Sequence, residues 1–187
     1  MTLKKKFTLG FALIMLLALA VMGTYAYLTS TPDPVENTFT FGNVEITLDE
    51  ANVDEDGVLD GDSRVAGNEY KLMPGHEYVK DPTIHVDADS EDCWLFVKVE
   101  DGLAEIEADT TIADQILANG WTALSGEDGV YYQEWANGDD ADVPVFGTFT
   151  LTTDADVSQY GEAKITITAY AIQADGLDEA ADAWAAF

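Results

Sequence analysis

The residues with the clearest chemical spacing form one acidic stretch, Asn52-Val53-Asp54-Glu55-Asp56-Gly57-Val58-Leu59-Asp60-Gly61-Asp62. Oxygen-bearing side chains stand at relative positions 1, 3, 5 and 9, with glycine at 6 and an aliphatic residue at 8. Alternate side chains in such a loop converge on one hard cation, and the pattern is most of an EF-hand calcium loop. The twelfth position is Ser63 instead of a bidentate Glu, with Asp62 beside it, and no helical pattern flanks the stretch. Asn52, Asp54, Asp56, Asp60 and Asp62 are therefore read as a candidate calcium site of the weak kind found in extracellular modules. The alternative is an acidic turn between strands, like Asp139-Asp140. No other cofactor is indicated.

Catalytic constellations are poorly represented. Zinc peptidases place two His at i and i+4 on a helix with a Glu between them. This chain has only His76 and His85, nine residues apart around a turn and a strand pattern. No nucleophile elbow is present. Both His are read as surface residues, and no enzymatic activity is expected. The single Cys93 excludes an intrachain disulfide and a Cys-based zinc site. It shares a parity with Leu95 and Val97, so it reads as a small buried apolar residue.

These residues are carried by a chain of 187 residues with 8 Lys+Arg and 36 Asp+Glu, a net charge of -28. That balance excludes a nucleic-acid partner, which needs a clustered basic surface. It also disfavours docking on anionic lipid. A hydrophobic share of 47% is enough to build a core, so the acidity does not imply disorder.

The charge is split sharply. Residues 1–26 hold Lys4, Lys5 and Lys6 and no acid, so the remainder sets five cations against all 36 acids, a net charge of -31. The run from Phe7 to Met22 is uncharged and almost wholly apolar. Lysines before it and small residues after it make residues 1–26 a secretory signal peptide. Cleavage after Ala26 is expected, with cleavage after Tyr27 or retention as an anchor as the alternatives. The acidic part then lies outside the cell, and the membrane is met only through the signal segment.

Beyond it the chain alternates as strands do. Thr38–Leu48 places Phe39, Phe41, Val44, Ile46 and Leu48 at alternate positions, with a slip at Gly42-Asn43 that predicts a bulge. Tyr78–Val86, Trp94–Val99, Val130–Trp135, Val143–Thr152 and Ala163–Ile172 follow, rich in β-branched and aromatic residues. Acidic, Gly-containing stretches such as Asn52–Gly61 separate them. The pattern predicts an all-β, antiparallel, jelly-roll-like β-sandwich with one wet face. Two short helices are expected, at Ile112–Ala118 and Asp178–Phe187. In the second, Leu177, Ala181 and Trp184 share a stripe that packs Trp184 onto the sandwich or docks a partner. Leu72-Met73-Pro74-Gly75 fits a type II turn. Trp94, Trp121, Tyr131, Tyr132 and Trp135 are read as core, with a carbohydrate groove as the alternative.

Three stretches resemble the TasA/camelysin family of secreted surface and biofilm-matrix proteins of Gram-positive bacteria, which a dedicated signal peptidase of the SipW type processes. Gly23-Thr24-Tyr25-Ala26-Tyr27-Leu28-Thr29-Ser30 is similar to the family's cleavage region. Asn37–Leu48 is similar to its first strand, and Leu72-Met73-Pro74-Gly75 with Lys80-Asp81 to its turn and downstream Lys-Asp. They cover roughly the first half of the chain in the family's order. The second half, with Trp121 and Tyr170-Ala171-Ile172-Gln173, looks like a clostridial-type branch.

The resemblance implies a jelly-roll subunit of extracellular fibres or biofilm matrix that assembles by donating its mature N-terminal segment as a strand. Residues 37–187 form the single β-sandwich domain, and 27–36 the leader. The candidate donor is Tyr27–Glu36, with Tyr27, Leu28 and Val35 as its apolar residues. Pro32 and Pro34 interrupt one edge of it, and a flexible leader is the alternative. Expected partners are further copies or related matrix subunits, and the signal peptidase during export. A monomeric cell-surface binding module is the second reading. The camelysin branch has been called a metalloendopeptidase, but the His spacing does not support that here. At a charge of -31, salt should favour any assembly by screening repulsion.

Overall fold

The computed structural model describes residues 43–187. Ten strands run in the order β1 (Ile46–Val53), β2 (Leu59–Val65), β3 (Glu77–Val79), β4 (Thr83–Val86), β5 (Cys93–Asp101), β6 (Thr122–Ala123), β7 (Val130–Trp135), β8 (Asp142–Pro144), β9 (Thr148–Thr150) and β10 (Ile165–Gln173). Helix α1 (Ile112–Ala118) lies between β5 and β6, and α2 (Ala180–Trp184) follows β10. All strand pairs are antiparallel. One sheet has the order β2-β1-β4-β8, a second β10-β5-β7-β6, and β3 pairs with β9 apart from both. The all-β expectation holds.

Period-two alternation decides what is buried. On β4, Ile84 and Val86 are buried while His85 faces out. On β5, Cys93, Leu95 and Val97 point into a core shared with Val143 of β8, Trp135 of β7 and Trp121. In the same core, Tyr78 of β3 stacks on Phe149 of β9 at 4.7 Å.

Several expected elements differ in detail. Residues 38–42 lie outside the described residues, and the first strand runs on to Val53. Its register shift falls between Ala51 and Val53. The acidic stretch is a hairpin, and β2 begins inside it. Strand β2 is exposed along most of its length, so it carries no hydrophobic alternation; pairing with β1 alone defines it. Tyr78–Val86 divides into β3 and β4 because Pro82 offers no N–H to a ladder. Val143–Thr152 likewise divides into β8 and β9, which join different sheets.

The second face of β5 is covered too. Trp94 and Phe96 are buried with Val130, Ala180 and Ala183 in a second apolar cluster beneath α2. Trp184 lies 5.3 Å from both Phe96 and Tyr170, ring to ring. Ala180 and Ala183 are the buried alanines of α2, while Ala181 is exposed. Helix α1 keeps its expected bounds. Thr111 caps it, accepting from the Asp114 N–H while Asp114 accepts from the Thr111 N–H.

Candidate functional site

The main cleft lies where the second sheet ends. Among the described residues, β10 pairs with β5 on one side and is the last strand of its sheet. Its inward residues Ile165, Ile167, Ala169 and Ala171 are only half-buried, although Val97 and Leu95 opposite the last two are fully buried. A cleft of about 820 Å³ opens along Ile165 and Ile167 and is lined also by Leu48 and Glu50 of β1. Leu103, Phe149 and Tyr70 supply further apolar lining. A strand whose second edge pairs with no described strand, beside half-covered apolar side chains, has the properties of a strand-accepting site.

Two charges are buried beside this cleft. Glu50 is 4% exposed and Lys80 7%. Lys80 Nζ donates to Glu50 Oε2 at 2.5 Å, and Asn68 Nδ2 donates to Glu50 Oε1 at 2.8 Å. Alternation places them there: Glu50 continues the parity of Ile46 and Leu48, and Lys80 that of Tyr78. Inward charges of opposite sign were the available signal, and sequence reasoning missed it.

The outer face of the first sheet carries an alternating ladder across all four strands. Arg64 of β2 donates through Nε to Asp49 of β1 at 2.5 Å and through Nη1 to Asp81 at 3.0 Å. His85 of β4 sets Nε2 2.8 Å from Asp49 and Nδ1 2.6 Å from Asp142 of β8. Those two carboxylates raise the His85 pKa above its usual 6.5 against partial burial. Partial burial pushes the Asp49 carboxyl up, but hydrogen bonds from Arg64 and His85 outweigh it and hold the pKa below the ordinary range. His85 is thus half-buried and engaged at both ring nitrogens. His76 is also half-buried, with Nε2 2.8 Å from the Asp56 carbonyl oxygen.

The predicted calcium residues form the β1–β2 hairpin. Asp54 Oδ1 accepts from the N–H groups of Asp56 and Val58. Asn52 Nδ2 donates to the Asp60 carbonyl oxygen. Asp56, Asp60 and Asp62 are exposed. Among the described residues, no three His, Cys, Asp or Glu side chains are grouped to hold a metal ion. Gly57 takes φ 75, and a Cβ there would meet Tyr78 Cδ1 at 2.6 Å, so the turn sits directly on the core.

The predicted cleavage and donor residues Ala26, Tyr27, Leu28 and Val35 lie outside the described residues. Gly75 takes φ 71 and the His76 N–H donates to the Met73 carbonyl oxygen, as a type II turn requires. Cys93 is fully buried, and burial, then Asp92, raises its thiol pKa to about 11. Of the predicted aromatics, Trp121 and Trp135 are core, Tyr131 packs against it, and Trp94 and Tyr132 belong to the cluster under α2.

Comparison with known proteins finds no family model, no curated protein and no solved structure that matches this chain.

Proposed function

We propose that this protein is a secreted, non-enzymatic structural subunit of extracellular fibres or matrix, with a jelly-roll-like sandwich that accepts a strand from a second copy. The observation that carries the reading is the nine-residue β10, whose second edge pairs with no described strand, beside the cleft of about 820 Å³. An extended segment entering there satisfies the free main-chain groups and covers Ile165 and Ile167. The occupant is Tyr27–Glu36 of a neighbouring copy, exposed as a new N-terminus by cleavage at Ala26. Its apolar residues Tyr27, Leu28 and Val35 suit the apolar lining.

Negative-stain microscopy with light scattering tests this on the mature protein in rising salt. Filaments are expected from the chain starting at Tyr27 and not from one starting at Asn37. Filaments from both, or monomers from both, would refute strand donation by that segment.

A further inference from the structure

The geometry points to an intramolecular amide bond between Lys80 Nζ and Asn68 Cγ, formed with Glu50 as the proton carrier. One buried carboxylate touches both reactants: Oε2 receives the Lys80 ammonium at 2.5 Å, and Oε1 receives the Asn68 amide nitrogen at 2.8 Å. Asn68 Nδ2 also donates to the Ala51 carbonyl oxygen at 2.8 Å, and Asn68 Oδ1 accepts from the Val53 N–H at 3.0 Å. Each contact has a chemical use. The Val53 N–H polarises the carbonyl and is placed to hold charge that develops on its oxygen. Glu50 takes a proton from the ammonium and leaves a neutral amine. The amine and the amide are held on the two oxygens of one carboxylate, so the reaction is unimolecular. Glu50 and Lys80 are buried and Asn68 is half-buried at the cleft wall, so the amine and the carboxylate are held out of bulk solvent while the cleft gives the departing ammonia a way out.

The balance is simple. Nζ bonds to Cγ, and the Cγ–Nδ2 bond breaks. Glu50 returns its proton to the departing nitrogen, which leaves as ammonia; Nζ sheds a second proton as the amide forms, and that proton ends on the ammonia in solvent as ammonium. No oxidant, metal or co-reactant is consumed, and Glu50 ends as it began. As a mere ion pair the arrangement is a poor stabiliser, because desolvation offsets most of the attraction. As a covalent bond it would tie the connector after β2 to the segment between β3 and β4, at the wall of the cleft. The inference rests on these three side chains and stands whether or not the chain forms fibres.

Tryptic mapping of the full chain, unfolded before digestion, tests it. Coupling blocks cleavage after Lys80 and yields a branched peptide, residues 65–71 joined to 72–98, lighter than the sum of those two linear peptides by one ammonia. In Glu50→Gln, cleavage after Lys80 should rise from near absent to near complete, with three linear peptides, residues 65–71, 72–80 and 81–98. Clean cleavage after Lys80 in the unmodified protein overturns the proposal, even where Glu50→Gln fails to fold. So does a branched peptide that forms equally in Glu50→Gln. An ammonia loss that maps only to Asn119-Gly120 or Asn137-Gly138, where succinimides lose the same mass, also overturns it.

Discussion

Glu107 offers a pH test of the fold that a single substitution isolates. Its half-buried carboxyl accepts from the N–H of Ile112, at the start of α1, at 3.2 Å. Burial first, and then the charge of Asp101, raises its pKa from an ordinary 4.5 to about 7. Between those values the folded chain keeps a proton that the unfolded chain has released. The unfolded state therefore binds fewer protons, and stability falls as pH rises from 4.5 through 7. The full interval corresponds to roughly 3.4 kcal/mol at about 1.36 kcal/mol per pH unit. A half-exposed group is screened by solvent, so about 1–2 kcal/mol is the expected loss. Glu107→Gln removes the titration and keeps an oxygen for the Ile112 N–H. Urea unfolding at pH 5 and pH 8 should show the variant losing about 1–2 kcal/mol less than the parent over that range. Parallel stability profiles for the two proteins would refute the argument, since the other titrating groups are common to both.

Two further outcomes follow from the outer faces of the sheets. The His85 contribution is fully present below its ordinary pKa of 6.5 and is lost as pH rises through its raised folded value, so His85→Gln should flatten the fall in Tm above pH 6.5; an unchanged slope would show that the ladder across β1, β4 and β8 does not couple to folding. Phe96→Ala removes the ring that meets Trp184 and Phe187, at a cost of about 3–5 kcal/mol. Limited proteolysis should then cut first between Ala174 and Phe187, and cleavage elsewhere would place the weak point outside the α2 cover.

Alternation and capping were enough to read much of this fold. β7 and α1 have the bounds expected from local pattern, because β-branched and aromatic alternation in one and a capping box in the other are complete within a few residues. The type II turn at Pro74-Gly75 was legible for the same reason: proline sets one φ and glycine supplies the other. The two faces of β5 were also separable from parity alone.

What lay beyond the sequence depended on partners distant along the chain. β2 exists because β1 offers it a ladder, and nothing in Leu59–Val65 itself alternates. The outer face of β5 is dry because residues some eighty positions later fold over it, with Trp94 Nε1 donating to the Leu177 carbonyl oxygen. Asp54 reads by spacing as a cation ligand, yet the hairpin turns its carboxylate onto its own backbone. The cleft beside β10 is decided by sheet order, which local periodicity does not encode. Glu50, Asn68 and Lys80 span thirty residues, and only the packing of β1 against the segments flanking β3 brings an amine, a carboxylate and an amide to one point. Local pattern specifies which residues turn inward; tertiary contact specifies what each inward residue meets.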